Sequence, residues 1–251
     1  MDKTQQQIAP VLILSHPQMG ENIGSAARVM ANFGLRELRL IAPRDGWPNE
    51  KATTLAAGAF AKMAPVRIFD DTISALADLQ MVYAVTARIR DMQKPVLAPS
   101  AAMNVLRRAS ADGSKTGLLF GAEASGLSNT QVASCDGVIT YPIHPEFRSL
   151  NLAQAVAVAA YAWRTSTSDV NKDGRARLDP LASKQEMQAM QNHLRAELEM
   201  AGFFFPPEKA DLMMQNLQNM FIRAAPTVQE IRTFRGVIKA LSHGRGPMVK
   251  K

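Results

Sequence analysis

Three short stretches carry residues that could do chemistry. In the first, NIGSAAR, Arg28 stands four residues after Gly24 and three after Ser25. On a helix that spacing puts all three on one face. Gly24, Ser25, Ala26, Ala27 and Ala31 leave the face thin, so a long guanidinium can lie back across it toward the helix start. Asn22 is of the type that caps a helix N-terminus, and Gly34 of the type that ends one. An arginine aimed across a helix N-terminus makes an anion site for a phosphate or a developing oxyanion. The same residues also suit tight helix packing beside a surface arginine, and this segment alone leaves both readings open.

The second stretch, LLFGAEASGLS at 118–128, ends an apolar run at Gly121 and turns at Gly126, with Glu123 between them. Carboxyl ends of strands are where open α/β sheets bind ligands. The third, YPIHPEFRSLNLAQAVAVAAYAW at 141–163, has two prolines leading into a helix. Past Asn151 and Gln154 that helix has no strongly polar side chain until Tyr161. It must be covered nearly all round, by the rest of the chain or by a second subunit. Ser149 and Asn151 are the polar residues at its start. His144 could serve as an acid or base, but a lone loop histidine is more often incidental. None of the three stretches fits a dinucleotide or P-loop fingerprint.

The elements that would position these residues follow from the pattern around them. Apolar runs at 11–15, 38–42, 66–69, 81–85, 116–121 and 137–143 predict strands, mostly without alternation, as in sheets covered on both faces. Helical patterns lie near 22–33, 72–79, 100–109, 128–134 and 150–164. The alternation predicts an α/β domain over 1–164 with a mostly parallel sheet. Residues 165–180 are polar and aperiodic and end in proline, which predicts a linker.

Over 181–251 three helices are expected. Ser183 and Glu186 have capping-box spacing before Met187, Met190, Leu194 and Leu198. Pro206 and Pro207 open a second helix with Met213, Leu217, Met220 and Ala224 on one face. Thr227 and Glu230 repeat the capping box before Ile231, Phe234, Ile238 and Leu241. Arg232, Arg235 and Lys239 share another face of that last helix.

Composition narrows the function. The 251 residues are 47% hydrophobic, which supports a real core. Formal net charge is +7, and +6 of it falls in residues 212–251, which hold seven basic residues and one acid. A basic surface of this kind suits a phosphate backbone. The single cysteine, Cys135, excludes an intramolecular disulfide and reads as a small buried hydrophobe. Metal-ligand spacing is absent. The apolar run after MDKTQQQIAP is too short for a signal peptide or a membrane span, so a cytoplasmic protein is expected.

Taken together and in this order, the three stretches resemble the motifs of the SPOUT class of RNA methyltransferases, and most closely the TrmH-type ribose 2′-O-methyltransferases. NIGSAAR is similar to N-x-G-x-x-x-R, FGAEASGLS to G-x-E-x-x-G-L, and SLNLAQAVAVAAY to S-L-N-x-x-x-A. The C-terminal GFFFP and NLQNMFIRAAPTVQEIRTFRGVIKAL extend the resemblance to the TrmJ subgroup of tRNA (cytidine/uridine-2′-O)-methyltransferases. The resemblance covers most of the chain apart from the linker.

It implies a C-terminal trefoil knot that holds S-adenosylmethionine (SAM), and a homodimer in which the apolar helix after Ser149 packs. It implies methyl transfer to the ribose 2′-OH at nucleotide 32 of a tRNA anticodon loop, with no metal. Arg28 then holds a phosphate and stabilises the 2′-alkoxide, since an arginine stays protonated and is poorly suited to act as a base. Asn22 fixes its loop, Glu123 orients Arg28 or the ribose, and Ser149 and Asn151 sit where substrate and cofactor meet. SAM is expected against Val85, Thr86 and Ala87, against Gly121, and against Tyr141, Ile143, Arg148, Ser149 and Leu150. Arg88 and Arg90 in TARIR, with Arg232, Arg235 and Lys239, are candidate RNA contacts. Two positions depart from the pattern. Ala122 stands where members carry arginine, and Phe147 where they carry tyrosine. The competing readings are a ribosomal RNA 2′-O-methyltransferase and a non-catalytic RNA-binding α/β protein. Arg28, Glu123 and Ser149 argue for catalysis, and the basic helical tail argues for tRNA.

Overall fold

The computed structural model describes residues 9–87, 94–166 and 180–243. The expected linker, apart from its edges, lies outside these residues, as do Arg88 and Arg90. The chain divides into two compact units, Met1–Ala176 and Arg177–Lys251.

The first unit is built on seven strands: β1 (Val11–Ser15), β2 (Leu38–Ile41), β3 (Arg67–Phe69), β4 (Met81–Val85), β5 (Val96–Leu97), β6 (Thr116–Phe120) and β7 (Gly137–Ile139). They form one sheet in the order β3-β2-β1-β6-β4-β7-β5. All six pairings are parallel. Every residue of β1, β2 and β6 is buried, the two-sided coverage that their unbroken apolar runs imply. Helices α1 (Gly20–Phe33), α2 (Glu50–Ala56), α4 (Pro99–Ala111) and α6 (Leu152–Thr165) contribute to a core with Leu12 and Leu14. Helices α3 (Thr72–Leu76) and α5 (Asn129–Ala133) enclose a second core with Val11 and Ile13. Alternate residues of β1 thus serve opposite faces of the sheet.

Three features differ from expectation. Helix α2 is absent from the apolar pattern because its buried residues are only Ala52 and Ala56. Its start is instead set by Asn49, whose side chain accepts the Ala52 N–H at 3.1 Å. Strand β5 is two residues long, below what alternation can reveal. The run at 137–143 stops being strand at Ile139. Pro142 and Pro145 have no N–H to continue a ladder, so residues 140–151 run as a loop past the sheet's carboxyl end.

The second unit holds α7 (Lys184–Met200), α8 (Ala210–Ala224) and α9 (Val228–His243), with a 3-10 turn at Pro207–Lys209 before α8. Both capping boxes form. Glu186 N–H donates to Ser183 Oγ at 3.2 Å, and Glu230 N–H donates to Thr227 Oγ1 at 3.2 Å. Met187, Met190, Phe221, Ile231 and Ile238 make the core, with Leu194 and Phe234 against it. The inward face of α8 is rotated from the expected one. Met214 and Phe221 are buried, while Met220 and Ala224 are exposed. The cause is Phe221, whose ring meets Phe234 edge-on at 4.9 Å and turns the helix toward α9. Leu241, expected to pack down, is 83% exposed near the end of α9.

Candidate active site

The three chemistry-bearing stretches meet at the carboxyl ends of β1 and β6. Glu123, just past β6, accepts the Gln18 N–H at 2.9 Å through Oε2. Its Oε1 accepts from Asn22 Nδ2 at 2.8 Å and from the Met19 N–H at 3.4 Å. Asn22 Oδ1 in turn accepts from Asn151 Nδ2 at 2.8 Å. Asn151 Oδ1 caps α6, accepting the Ala153 and Gln154 N–H groups at 2.9 and 3.4 Å. A single directed chain, Asn151 to Asn22 to Glu123, therefore ties together residues more than a hundred positions apart.

This arrangement revises two expectations. Asn22 is not the cap of α1. The helix starts at Gly20, the cap position is Met19, and no side chain of that residue caps it. Asn22 lies in the first turn, 7% exposed, and spends its amide sideways. Glu123 instead accepts the Gln18 and Met19 N–H groups just ahead of the helix, and its carboxylate suits the positive end of the helix. Glu123, with both oxygens so engaged, does not hold Arg28. Arg28 is exposed on α1 and has no hydrogen-bond or ionic partner among the described residues. Gly24 serves packing, since a Cβ there would lie 2.2 Å from the carbonyl oxygen of Ala52 in α2. Gly34 ends α1 in the left-handed conformation, as expected.

Beside this junction lies a cavity of about 960 Å³. Val85, Thr86, Ala87, Gly121, Tyr141, Ile143, Arg148, Ser149 and Leu150 all line it, and so does Glu123. The sequence did not single out Ile139, Leu152 and Ala155, which complete an apolar wall; they read as ordinary core positions. Gly121 admits the chain here, because a Cβ would fall 2.2 Å from the backbone carbon of Gly126. Tyr141 donates its hydroxyl to the Ala155 carbonyl at 2.6 Å, which ties the loop to α6. Burial pushes its phenol pKa up, so the group stays a neutral donor. Arg148 Nε donates to the Pro145 carbonyl at 2.8 Å, and Ser149 is exposed at the rim. An apolar wall with polar groups at its edge fits a molecule like SAM, which carries a flat adenine ring at one end and charged groups at the other.

His144 Nδ1 accepts the Glu146 N–H at 3.3 Å, a role in the turn. Arg232, Arg235 and Lys239 are exposed on α9 of the second unit. Arg44, in the loop after β2, was not foreseen. It is held by Asp45 at 2.9 Å, and Glu123 adds to the field that raises its pKa. Its place after a strand's carboxyl end was the available signal.

The profile of the SpoU rRNA Methylase family matches residues 9–161. The chain belongs to that family. A second profile, the C-terminal domain of the tRNA methyltransferase TrmJ, matches residues 185–247. The tRNA (cytidine/uridine-2′-O-)-methyltransferase TrmJ of Pectobacterium atrosepticum is 32% identical over 222 residues, covering 88% of this chain and 91% of its own. The tRNA (cytidine/uridine/adenosine-2′-O-)-methyltransferase TrmJ of Pseudomonas aeruginosa is 33% identical over 234 residues, covering 89% of each. The crystal structure of TrmJ from Z. mobilis superposes with a TM-score of 0.81 at 41% identity, over 93% of this chain and 99% of that one. The SpoU methyltransferase AviRb from Streptomyces viridochromogenes, solved in complex with AdoMet, shares the fold at a TM-score of 0.51 and 18% identity, over 64% and 58%.

Proposed function

We propose that the chain methylates the ribose 2′-OH of a cytidine or uridine in tRNA, at position 32 of the anticodon loop, with SAM as donor. The observation that carries this reading is the junction itself. The relay from Asn151 through Asn22 to Glu123 fixes three loops beside a cavity of suitable size and leaves Arg28 unpaired.

When bound, SAM supplies a methyl group already activated on a sulfonium, so the protein's task is positioning and charge stabilisation. The cavity loops 85–87, 121–126 and 141–150 hold the donor. Arg28, permanently cationic, takes the phosphate beside the target ribose and stabilises negative charge as it grows on the 2′-oxygen. Ser149 at the rim orients the ribose. Asn22, Glu123 and Asn151 act through the loops they tie.

The second unit serves as the tRNA-binding extension, with Arg232, Arg235 and Lys239 on phosphates and Arg88 and Arg90 adding contacts from the first unit. The exposed Val158 and Tyr161 on the apolar helix α6 favour a homodimer that covers them. Among the described residues no helix is long and apolar enough to cross a membrane. The reading puts the enzyme with its tRNA in the cytoplasm.

The test is nucleoside mass spectrometry of tRNA treated with the protein and SAM, for wild type and Arg28→Ala. The wild type should yield 2′-O-methylated pyrimidine, and a tRNA with a 2′-deoxy nucleotide at position 32 should bind yet accept no methyl. Arg28→Ala should bind SAM normally in calorimetry and transfer at least a hundredfold more slowly. Methylation of the deoxy substrate, or an Arg28→Ala rate near wild type, would refute the assignment.

A further inference from the structure

We infer that Phe147 is the stacking platform for the base of the nucleotide whose ribose is methylated, a deepening that rests on the functional reading above. Phe147 is 78% exposed. It is nevertheless held in a built turn. Its N–H donates to the His144 carbonyl at 3.1 Å, Glu146 N–H donates to His144 Nδ1 at 3.3 Å, and Arg148 Nε donates to the Pro145 carbonyl at 2.8 Å. The turn is flanked by cavity residues, with Ile143 before it and Arg148, Ser149 and Leu150 after it. Phe147 thus belongs to a turn whose two ends line the donor cavity. Tyr161, the other strongly exposed ring of this unit, meets Phe33 edge-on at 6.2 Å. Phe147 has no aromatic or cationic partner among the described residues.

Chemistry at a ribose gives the base no reacting atom, yet the nucleotide must be held still. Unstacked loop bases are held on aromatic faces, and stacking tolerates any base because each has a π-face. A phenyl ring has no hydrogen-bonding edge, so it would hold cytosine and uracil alike. Arg148 spends only its Nε in the turn, which leaves its terminal nitrogens for a phosphate beside the stacked base.

The experiment compares wild type, Phe147→Leu and Phe147→Trp on an anticodon stem-loop carrying uridine or 5,6-dihydrouridine at the methylated position. Dihydrouridine keeps the ribose but has a puckered, non-aromatic ring. Wild type should lose about tenfold in kcat/KM on dihydrouridine, mainly through KM, within the roughly 5- to 150-fold range of one base stack. Phe147→Leu should show that loss already on uridine and little further loss on dihydrouridine. Phe147→Trp should keep wild-type KM, and all three should bind SAM equally in calorimetry. A wild-type KM for Phe147→Leu would overturn the proposal. So would losses from the leucine and the dihydrouridine that multiply, or a fall in mass on size exclusion, which would make Phe147 an interface residue. Absence of ribose methylation by the wild type would instead refute the functional reading, and this proposal with it.

Discussion

Replacing Glu123 with glutamine tests whether the junction of the three loops depends on a pure acceptor. The carboxylate takes three donors, from Gln18 N at 2.9 Å, Asn22 Nδ2 at 2.8 Å and Met19 N at 3.4 Å. Glutamine offers one oxygen. Whichever way its amide is turned, an NH2 group faces either the Gln18 N–H or the Asn22 amide. Asn22 cannot turn its own oxygen toward it without giving up Asn151 at 2.8 Å. One hydrogen bond to a charged group is therefore lost, worth ~1.5–3 kcal/mol. The lost negative charge at the start of α1 adds ~0.3–1 kcal/mol. Relaxation toward solvent returns part of this, since Glu123 is half-buried, and the expected net is about 2–3 kcal/mol. For a unit of this size that lowers Tm by about 5–10 °C. The assay is a thermal scan by circular dichroism beside a methyl-transfer measurement. Glu123→Gln should slow transfer more than it weakens SAM binding, because it loosens the start of α1, the helix that carries Arg28. A Tm within about 1 °C of wild type would show that the relay does not fasten the loops.

Further outcomes follow from the same geometry. Gly121→Ala should abolish SAM binding in calorimetry, because its Cβ would lie 2.2 Å from the Gly126 backbone and would force apart the turn that lines the cavity; retained affinity would mean the cavity is not the donor site. At the other end of the sheet, the fully buried Arg39 holds Asp78 at 2.5 and 2.9 Å, with Lys115 on the same carboxylate at 2.9 Å. Burial works to raise the Asp78 pKa, but these partners outweigh it and hold the carboxyl well below the usual range. The stability it contributes is present above the unfolded value, ~3.9, and is lost as pH falls below it toward the folded value. Denaturant midpoints should therefore drop more steeply below about pH 4 in wild type than in Asp78→Asn, and parallel profiles would contradict this. A chain ending after Ser166 should still bind SAM but lose tRNA affinity, with the slope of log K against log salt shallower by about one unit per phosphate contact removed. Equal slopes for the full and shortened chains would make the basic tail a mere solvated surface. The cut must spare Ser166, since Arg107 bonds to it and to the Trp163 carbonyl.

What could be read from the sequence was whatever depends on nearby residues. The six longer strands, both capping boxes and the αL glycine at 34 follow from patterns within a few positions. The face of α8 did not, because the partner that turns it, Phe234, lies on α9. Helix α2 escaped because two buried alanines leave no apolar stripe. Asn22 carried a correct signal for a helix start and a wrong one for its role. Its type suits a cap, and only the fold brings Glu123 across from a hundred residues away to take up its amide. The same displacement explains Arg28. Sequence pairs it with the nearest functional acid, and a surface arginine normally finds one. Here both oxygens of Glu123 are taken by α1 and its loop. Glu21, the acid of that helix, is held by Lys51 at 3.0 Å. With the local carboxylates spent, the exposed Arg28 is a cation that no group among the described residues neutralises. On the proposed reading, a phosphate arriving there displaces no anion of the described residues, which is what one arginine needs to bind an RNA backbone and to stabilise an oxygen as it becomes charged.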